Sequence, residues 1–92
     1  MTITLQIGNS DDKLTQAEWH TFFAEVDILV QKYASVIHFS GTSNGAALWQ
    51  NACWVFEAGE HGHKKFVRGL VALREKYAQE AIAVTAGETS LI

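Results

Sequence analysis

Two hydrophobic periodicities alternate along this chain in an order that few small folds can accommodate. Residues 2–8 alternate apolar and polar side chains, with Ile3, Leu5 and Ile7 on one side. This alternation predicts a strand with one buried face. Three further short segments have the apolar, β-favouring composition of strands, and they span residues 36–39, 51–58 and 81–85.

The segment 51–58 is apolar on both sides, because Trp54 and Phe56 alternate with Cys53 and Val55. A continuous apolar run is typical of a strand that is covered on both faces. The pattern leaves open which of the two pairs points towards the helices.

Two amphipathic segments with a helical period lie between the strands. The first begins at a capping box formed by Thr15 and Glu18, and its apolar stripe predicts a helix over residues 16–34. The second stripe predicts a helix over residues 62–78. Gly69 lies inside the second helix, where glycine costs about 1 kcal/mol relative to alanine. We interpret it as a site of close packing on the sheet.

The resulting element order is β-α-β-β-α-β. Its compact solution is an α+β ferredoxin-like domain, with a four-stranded antiparallel sheet and both helices on one face. Right-handed crossovers place the first and third strands side by side in the centre. We expect residues 1–92 to form one such domain.

Composition excludes several classes of protein. The chain is 48% hydrophobic and contains no proline, which is unlike a disordered segment. No apolar run approaches the roughly 20 residues that span a bilayer, and the N-terminus lacks the basic and apolar regions of a signal peptide. Cys53 is the single cysteine, which fits a reducing compartment. We therefore expect a cytoplasmic protein without a membrane partner.

The charges are unevenly distributed. The net charge is −3, yet five of the seven Lys and Arg residues lie within residues 64–76. The acidic balance makes nucleic acid an unfavourable partner. The second helix nevertheless carries a predicted basic docking face, and a solvated face is the simpler alternative; the face consists of Lys64, Lys65, Arg68 and Lys76.

No segment carries a strong catalytic motif. Asp11 and Asp12 follow the first strand and His38 lies on the second, so these three are acid-base or ligand candidates. His61 and His63 form one weak pair, whereas a zinc site uses three or four protein ligands. We therefore predict no catalytic residue, no metal and no cofactor.

An aromatic-amide cluster surrounds the start of the third strand. Two interpretations remain open: core packing with turn hydrogen bonds, or a recognition patch, since tryptophan is enriched in interface hot spots. The predicted interaction patch consists of Trp49, Gln50, Asn51, Trp54 and Phe56.

Three stretches, residues 7–14, 49–54 and 77–84, give the chain a resemblance to known proteins. With them it resembles small uncharacterised ferredoxin-like proteins of phages and bacteria. The resemblance implies a compact protein that binds and blocks a host protein, as anti-CRISPR and other anti-defence inhibitors do.

We therefore expect a small non-enzymatic protein-binding module, most specifically a phage-type inhibitor of a bacterial nuclease or defence complex. The alternative is a small-ligand-binding or enzymatic dimeric α/β domain that uses the open face of the sheet.

The open face is also predicted to mediate a homodimer, because an apolar centre with a polar rim marks a binding site. The third strand would supply that centre. A competing prediction is that residues 87–92 fold back, cap the patch and leave a monomer. The polar residues expected on this face are Thr2, Thr4, Gln6, His38 and Ser40.

Overall fold

The structure is a computed structural model that describes residues 1–9, 13–43 and 50–92. Its four strands and two helices follow the predicted order. They are β1 (Thr2–Gly8), α1 (Gln16–Tyr33), β2 (Val36–Thr42), β3 (Asn51–Glu57), α2 (Glu60–Lys76) and β4 (Ala83–Gly87).

The strands form one antiparallel sheet in the order β2-β3-β1-β4. Both central strands, β1 and β3, pair along seven residues, and Leu5 lies opposite Trp54. This confirms the α+β ferredoxin-like fold, with the first and third strands in the centre.

The capping box at the start of α1 is present. The Thr15 hydroxyl accepts a hydrogen bond from the Glu18 amide at 3.2 Å, and the Glu18 carboxylate accepts one from the Thr15 amide at 3.0 Å. These bonds hold the pKa of Glu18 below its usual value. Leu14 and Trp19 flank the cap and both belong to the buried core, so the cap fixes where α1 meets the sheet.

The inner face of β3 provides much of the core. Trp54 and Phe56 have no exposed surface. The indole N–H of Trp54 donates to Asp27 on α1 at 2.9 Å, and its ring lies 5.1 Å from that of Phe23. The Trp54 side of β3 therefore points to the helices, and Cys53 with its alternate neighbours lies on the opposite face.

Strand β2 is longer than predicted and is bulged. It extends to Thr42, and its register with β3 shifts between Ile37 and Phe39. Because of the bulge, Ile37 pairs with Phe56 on the helix side while Phe39 pairs with Val55 on the open side. Ile37 and Phe39, which strict strand alternation would place on one face, therefore lie on opposite faces of the sheet.

Strand β4 begins and ends two residues later than predicted. It includes Gly87, which pairs with Thr2 of β1 and so belongs to the strand. The register of β4 with β1 contains no shift.

The two helices pack closely at Gly69. A Cβ at that position would meet the Leu29 side chain of α1 at 2.7 Å. Gly69 therefore permits contact between the helices, which corrects the prediction that it packs on the sheet.

A second contact joins α1 to the end of α2. Glu25 accepts hydrogen bonds from the Lys76 ammonium at 2.7 Å and from the Tyr77 hydroxyl at 2.6 Å. The Lys76 bond is the main cause that holds the pKa of Glu25 below its usual value. Burial, together with the Glu25 carboxylate, raises the pKa of Tyr77 to about 12.

Candidate interaction surfaces

The face of the sheet opposite the helices, here called the open face, is almost free of charge. The pairing register places alternate residues of each strand on it. Among the strand residues of this face that the structure describes, Glu57 is the one with a formal charge. The others are Thr2, Thr4, Gln6, Gly8, Val36, His38, Phe39, Gly41, Asn51, Cys53, Val55, Ala83, Thr85 and Gly87.

The apolar centre of the open face lies on the edge strand β2 and its neighbour β3. Phe39 is 56% exposed and pairs with Val55 on the neighbouring strand. The Phe39 ring lies against Gly41, where an added Cβ would meet a ring carbon at 2.8 Å. Gly41 in turn pairs with Cys53, a free and half-buried thiol. These four positions form a contiguous apolar area.

A polar trio lies at one end of the same face. The Thr2 hydroxyl donates to the Glu57 carboxylate at 2.7 Å, and His38 Nε2 lies 2.9 Å from the same oxygen. The Thr2 hydrogen bond, followed by that of His38, holds the pKa of Glu57 below its usual value. His38 is thus on the open face, as predicted, whereas Ser40 pairs with Trp54 on the helix side.

The segment after β4 does not cap the apolar centre. Its Thr89 hydroxyl contacts that of Thr2 at the edge of the open face. Beyond it, Leu91 and Ile92 are fully exposed. The structure therefore contradicts the prediction that this tail covers the patch.

The predicted aromatic-amide patch is divided by the fold. Trp54 and Phe56 lie in the core with no exposed surface, so neither can contact a partner in the folded protein. This corrects the prediction that both belong to an interaction patch. The apolar pattern of β3 could not distinguish its two faces. Trp49 lies outside the described residues, and Asn51 is exposed at the start of the strand.

Gln50 belongs to a structural polar cluster that the sequence analysis missed. Asn9 is the one polar residue buried among those the structure describes, at 2% exposure. Its side chain bridges to the Leu14 amide and carbonyl at 3.0 and 3.1 Å and donates to Gln50 at 3.1 Å. Gln50 also exchanges two hydrogen bonds with Gln16. A turn-forming asparagine before a helix start was the available signal.

The predicted basic docking face is only partly available. Lys76 is engaged by Glu25, and Lys64 lies 3.9 Å from Glu60 one helical turn away. Lys65 and Arg68 are exposed. The basic side chains available for docking are therefore Lys65 and Arg68, and Lys64 lies at the edge of this smaller face.

A groove runs between α2 and the edge strand β4, which the sequence analysis did not predict. Its volume is about 160 Å³. Its three valines are 36–38% exposed, and one arginine borders it. The lining residues are Val67, Leu70, Val71, Arg74, Ile82 and Val84.

Of the three acid-base or ligand candidates, His38 is in the part of the chain that the structure describes. Asp11 and Asp12 lie outside that part. Within it, no three His, Cys, Asp or Glu side chains are arranged to hold a metal ion. Likewise, neither described helix is long and apolar enough to cross a bilayer.

Comparison with protein-family models gave no matching family for this chain. A search of curated proteins gave no matching relative.

Proposed function

We propose that this protein is a non-enzymatic protein-binding module and that the open face of the sheet is one of its interfaces. The observation that carries the proposal is the composition of this face. Glu57 is its one charged strand residue in the described chain, and Phe39, Val55 and Cys53 form its centre. Depletion of charge around an apolar centre distinguishes interface cores from ordinary surface.

A second copy of the chain is the occupant that we propose for this face. Two sheets can stack about 10 Å apart with their side chains interdigitated. A two-fold axis near Val55 would bring the two apolar centres together. With that axis running across the strands, the two Glu57 residues, which lie in the end row of the sheet with Thr2, fall on opposite sides of it, which keeps their carboxylates apart.

Light scattering at micromolar concentration tests the proposal. We expect about twice the chain mass of 10.2 kDa, and we expect Val55→Asp to return the mass to that of one chain. Val67→Asp is the matched control, because it places the same change at a partly exposed valine on α2. A single-chain mass for the unmodified protein would contradict the homodimer.

In its most specific form, the proposed function is that of a phage-type inhibitor of a bacterial nuclease or defence complex, acting in the cytoplasm. The resemblance of the sequence to phage proteins supports this form, and the exposed Lys65 and Arg68 offer a docking face for an acidic protein surface. Charged side chains at the rim of an interface act mainly on the rate of association.

Phage-challenge assays in bacteria that carry defined defence systems test the inhibitor proposal. We expect the protein to restore plaque formation against one system. Reversal of Lys65 and Arg68 to glutamate should slow association with the target and flatten its salt dependence. Lys32→Glu on α1, compared with Lys65→Glu and Arg68→Glu made singly, is the control for net charge. If the folded protein restores plaque formation against none of the defence systems, the result contradicts this form of the proposal.

A small ligand on the open face is the second candidate function. A depression of about 360 Å³ is lined by Gln6, Phe39, Cys53 and neighbouring residues, and ligand sites are typically concave and of about 300–1,000 Å³. Calorimetry with a panel of nucleotides and metabolites distinguishes the two functions. Stoichiometric binding that Cys53→Phe abolishes would favour the ligand.

A further inference from the structure

The edge strand β4 has none of the devices that usually block strand pairing. It is the outermost strand beside β1, and its sequence AVTAG contains no charge and no proline. Its pairing with β1 is regular. The opposite edge strand, β2, is interrupted by a bulge at His38. Bulges, charges and proline protect edges from pairing with other chains, so β4 is the open edge.

The groove beside β4 can receive side chains from an added strand. Val84 pairs with Leu5 and therefore faces the helix layer. A strand that paired with β4 would place every second side chain on that same side. There it would meet Val67 and Val71 of α2 across a space of about 160 Å³. A cavity of about 150 Å³ accommodates benzene, so the groove has room for an aliphatic side chain.

The charge beside the groove is positive. Residues 64–74 of α2 contain four basic residues and no acidic residue. Arg74 lines the groove itself and forms no ion pair with another residue of the described chain. Lys64, Val67, Val71 and Arg74 are spaced by three, four and three residues, which places them on one stripe of the helix.

We propose that β4 and the groove bind an extended segment of a partner protein by strand addition. The segment has apolar side chains at alternate positions, which enter the groove, and an acidic side chain that pairs with Arg74. This inference rests on the proposed protein-binding function and names the chemistry of the segment that the module recognises. Main-chain hydrogen bonds give such complexes affinity, and the side-chain pockets give them specificity.

A second copy of the chain is a poor occupant of this edge. Pairing of β4 with its own copy about a two-fold axis would bring the two α2 helices to the same side of the joined sheet. Residues 64–74 of each helix contain four basic side chains and no acidic one, so the charges of the two helices would repel. The acidic, extended segment has the complementary charge.

The test uses a capped eight-residue peptide with isoleucine and one aspartate at the even-numbered positions and threonine at the odd-numbered ones, so that the aspartate lies on the same side of the strand as the isoleucines and can reach Arg74. Its charge control has lysine in place of aspartate. Two further peptides carry N-methyl groups on either the odd-numbered or the even-numbered amides. Binding is measured by chemical-shift changes in the full-length, isotope-labelled protein at low salt.

We expect the shift changes to lie on β4 and on the groove side of α2. The lysine peptide and one of the two N-methylated peptides should bind at least about tenfold more weakly, a difference of about 1.4 kcal/mol. Val71→Asp should weaken binding to a similar extent, whereas Ala72→Asp, the same charge on the adjacent exposed residue, should leave it within about twofold.

Absence of peptide binding would overturn the inference, as would equal binding of both N-methylated peptides or shift changes confined to β2. Concentration-dependent shifts on β4 that persist without peptide in the Val55→Asp variant would assign the edge to a second copy and overturn it as well. These failures are separable from failure of the proposed function, because the effect of Val55→Asp on the mass is measured on the open face without the peptide.

Discussion

The two faces of β3 have similar sequences and different roles. On the inner face, Trp54 and Phe56 have no exposed surface and the Trp54 indole is hydrogen-bonded to Asp27. On the outer face, Cys53 and Val55 remain partly exposed between uncharged neighbours. The difference shows that the apolar character of a strand does not by itself assign its residues to the core. The inner face stabilises the fold, and the outer face remains partly exposed, as the proposed interface requires.

Truncation on the two faces should give the largest contrast. Phe56→Ala removes a fully buried ring that meets Phe66 edge to face at 5.1 Å, and we expect it to lower the free energy of unfolding by about 3–5 kcal/mol. Val55→Ala should lower it by about 1 kcal/mol or less when measured at concentrations where the chain is monomeric. Urea unfolding checks both values. Equal losses would contradict the assignment of the two faces.

The hydrogen bond that anchors the inner face gives a smaller effect. Asp27→Ala leaves the Trp54 indole N–H without its acceptor in the core, and we expect a loss of about 1–3 kcal/mol in unfolding free energy. Gln31→Ala is the matched control, because Gln31 donates to the other oxygen of the same carboxylate at the surface. If both variants lose the same stability, the indole bond is not what orients β3.

Much of the fold followed from local sequence patterns, because those patterns act over a few residues. The capping box at Thr15 and the alternation of β1 each predicted an element whose start the structure confirms. The bulge at His38 could not be predicted in this way, since it exists only relative to the partner strand. The same holds for Gly87, which became part of β4 through its pairing with Thr2.

The candidate surfaces were harder to predict than the fold. Trp54 was a reasonable hot-spot residue until the structure showed its inward orientation. Arg74 was missed because the groove that it lines forms only when α2 packs beside β4 in the folded protein. Lys76 was counted as available although it pairs with Glu25, 51 positions earlier in the chain.

The helix layer should lose stability at alkaline pH through Tyr77. The pKa of Tyr77 is raised to about 12, so the neutral phenol stabilises the folded state. That contribution is fully present below pH 10, the usual pKa, and is lost as the pH rises towards 12. We expect Tyr77→Phe to lower the unfolding free energy by about 1 kcal/mol at neutral pH and to remove this part of the alkaline decline.

Absorbance titration of the Tyr33→Phe variant isolates the Tyr77 phenol. An apparent pKa near 10 would contradict its burial against Glu25. At the acidic end, the lowered pKa of Glu25 stabilises the folded state above its unfolded pKa. That contribution is lost as the pH falls through the folded value.

The smallest expected effect lies at the end of α2. Ala78 has a φ of 52°, and the amide of Gln79 bonds back to the Arg74 carbonyl at 2.9 Å. This is the position where glycine normally ends a helix. Ala78→Gly should therefore raise the unfolding free energy by about 0.5–1 kcal/mol. It should leave the mass in solution unchanged. Loss of stability would show that the left-handed conformation is not populated.

The most direct test of the central claim uses Cys53, the single thiol, which lies on the open face. The rate of its alkylation by a maleimide is measured over a range of protein concentrations, with Val55→Asp as the variant that cannot associate. If the open face is an interface between two copies, the rate should fall as concentration rises, and it should remain constant in the variant. A rate that is independent of concentration in the unmodified protein would contradict the claim.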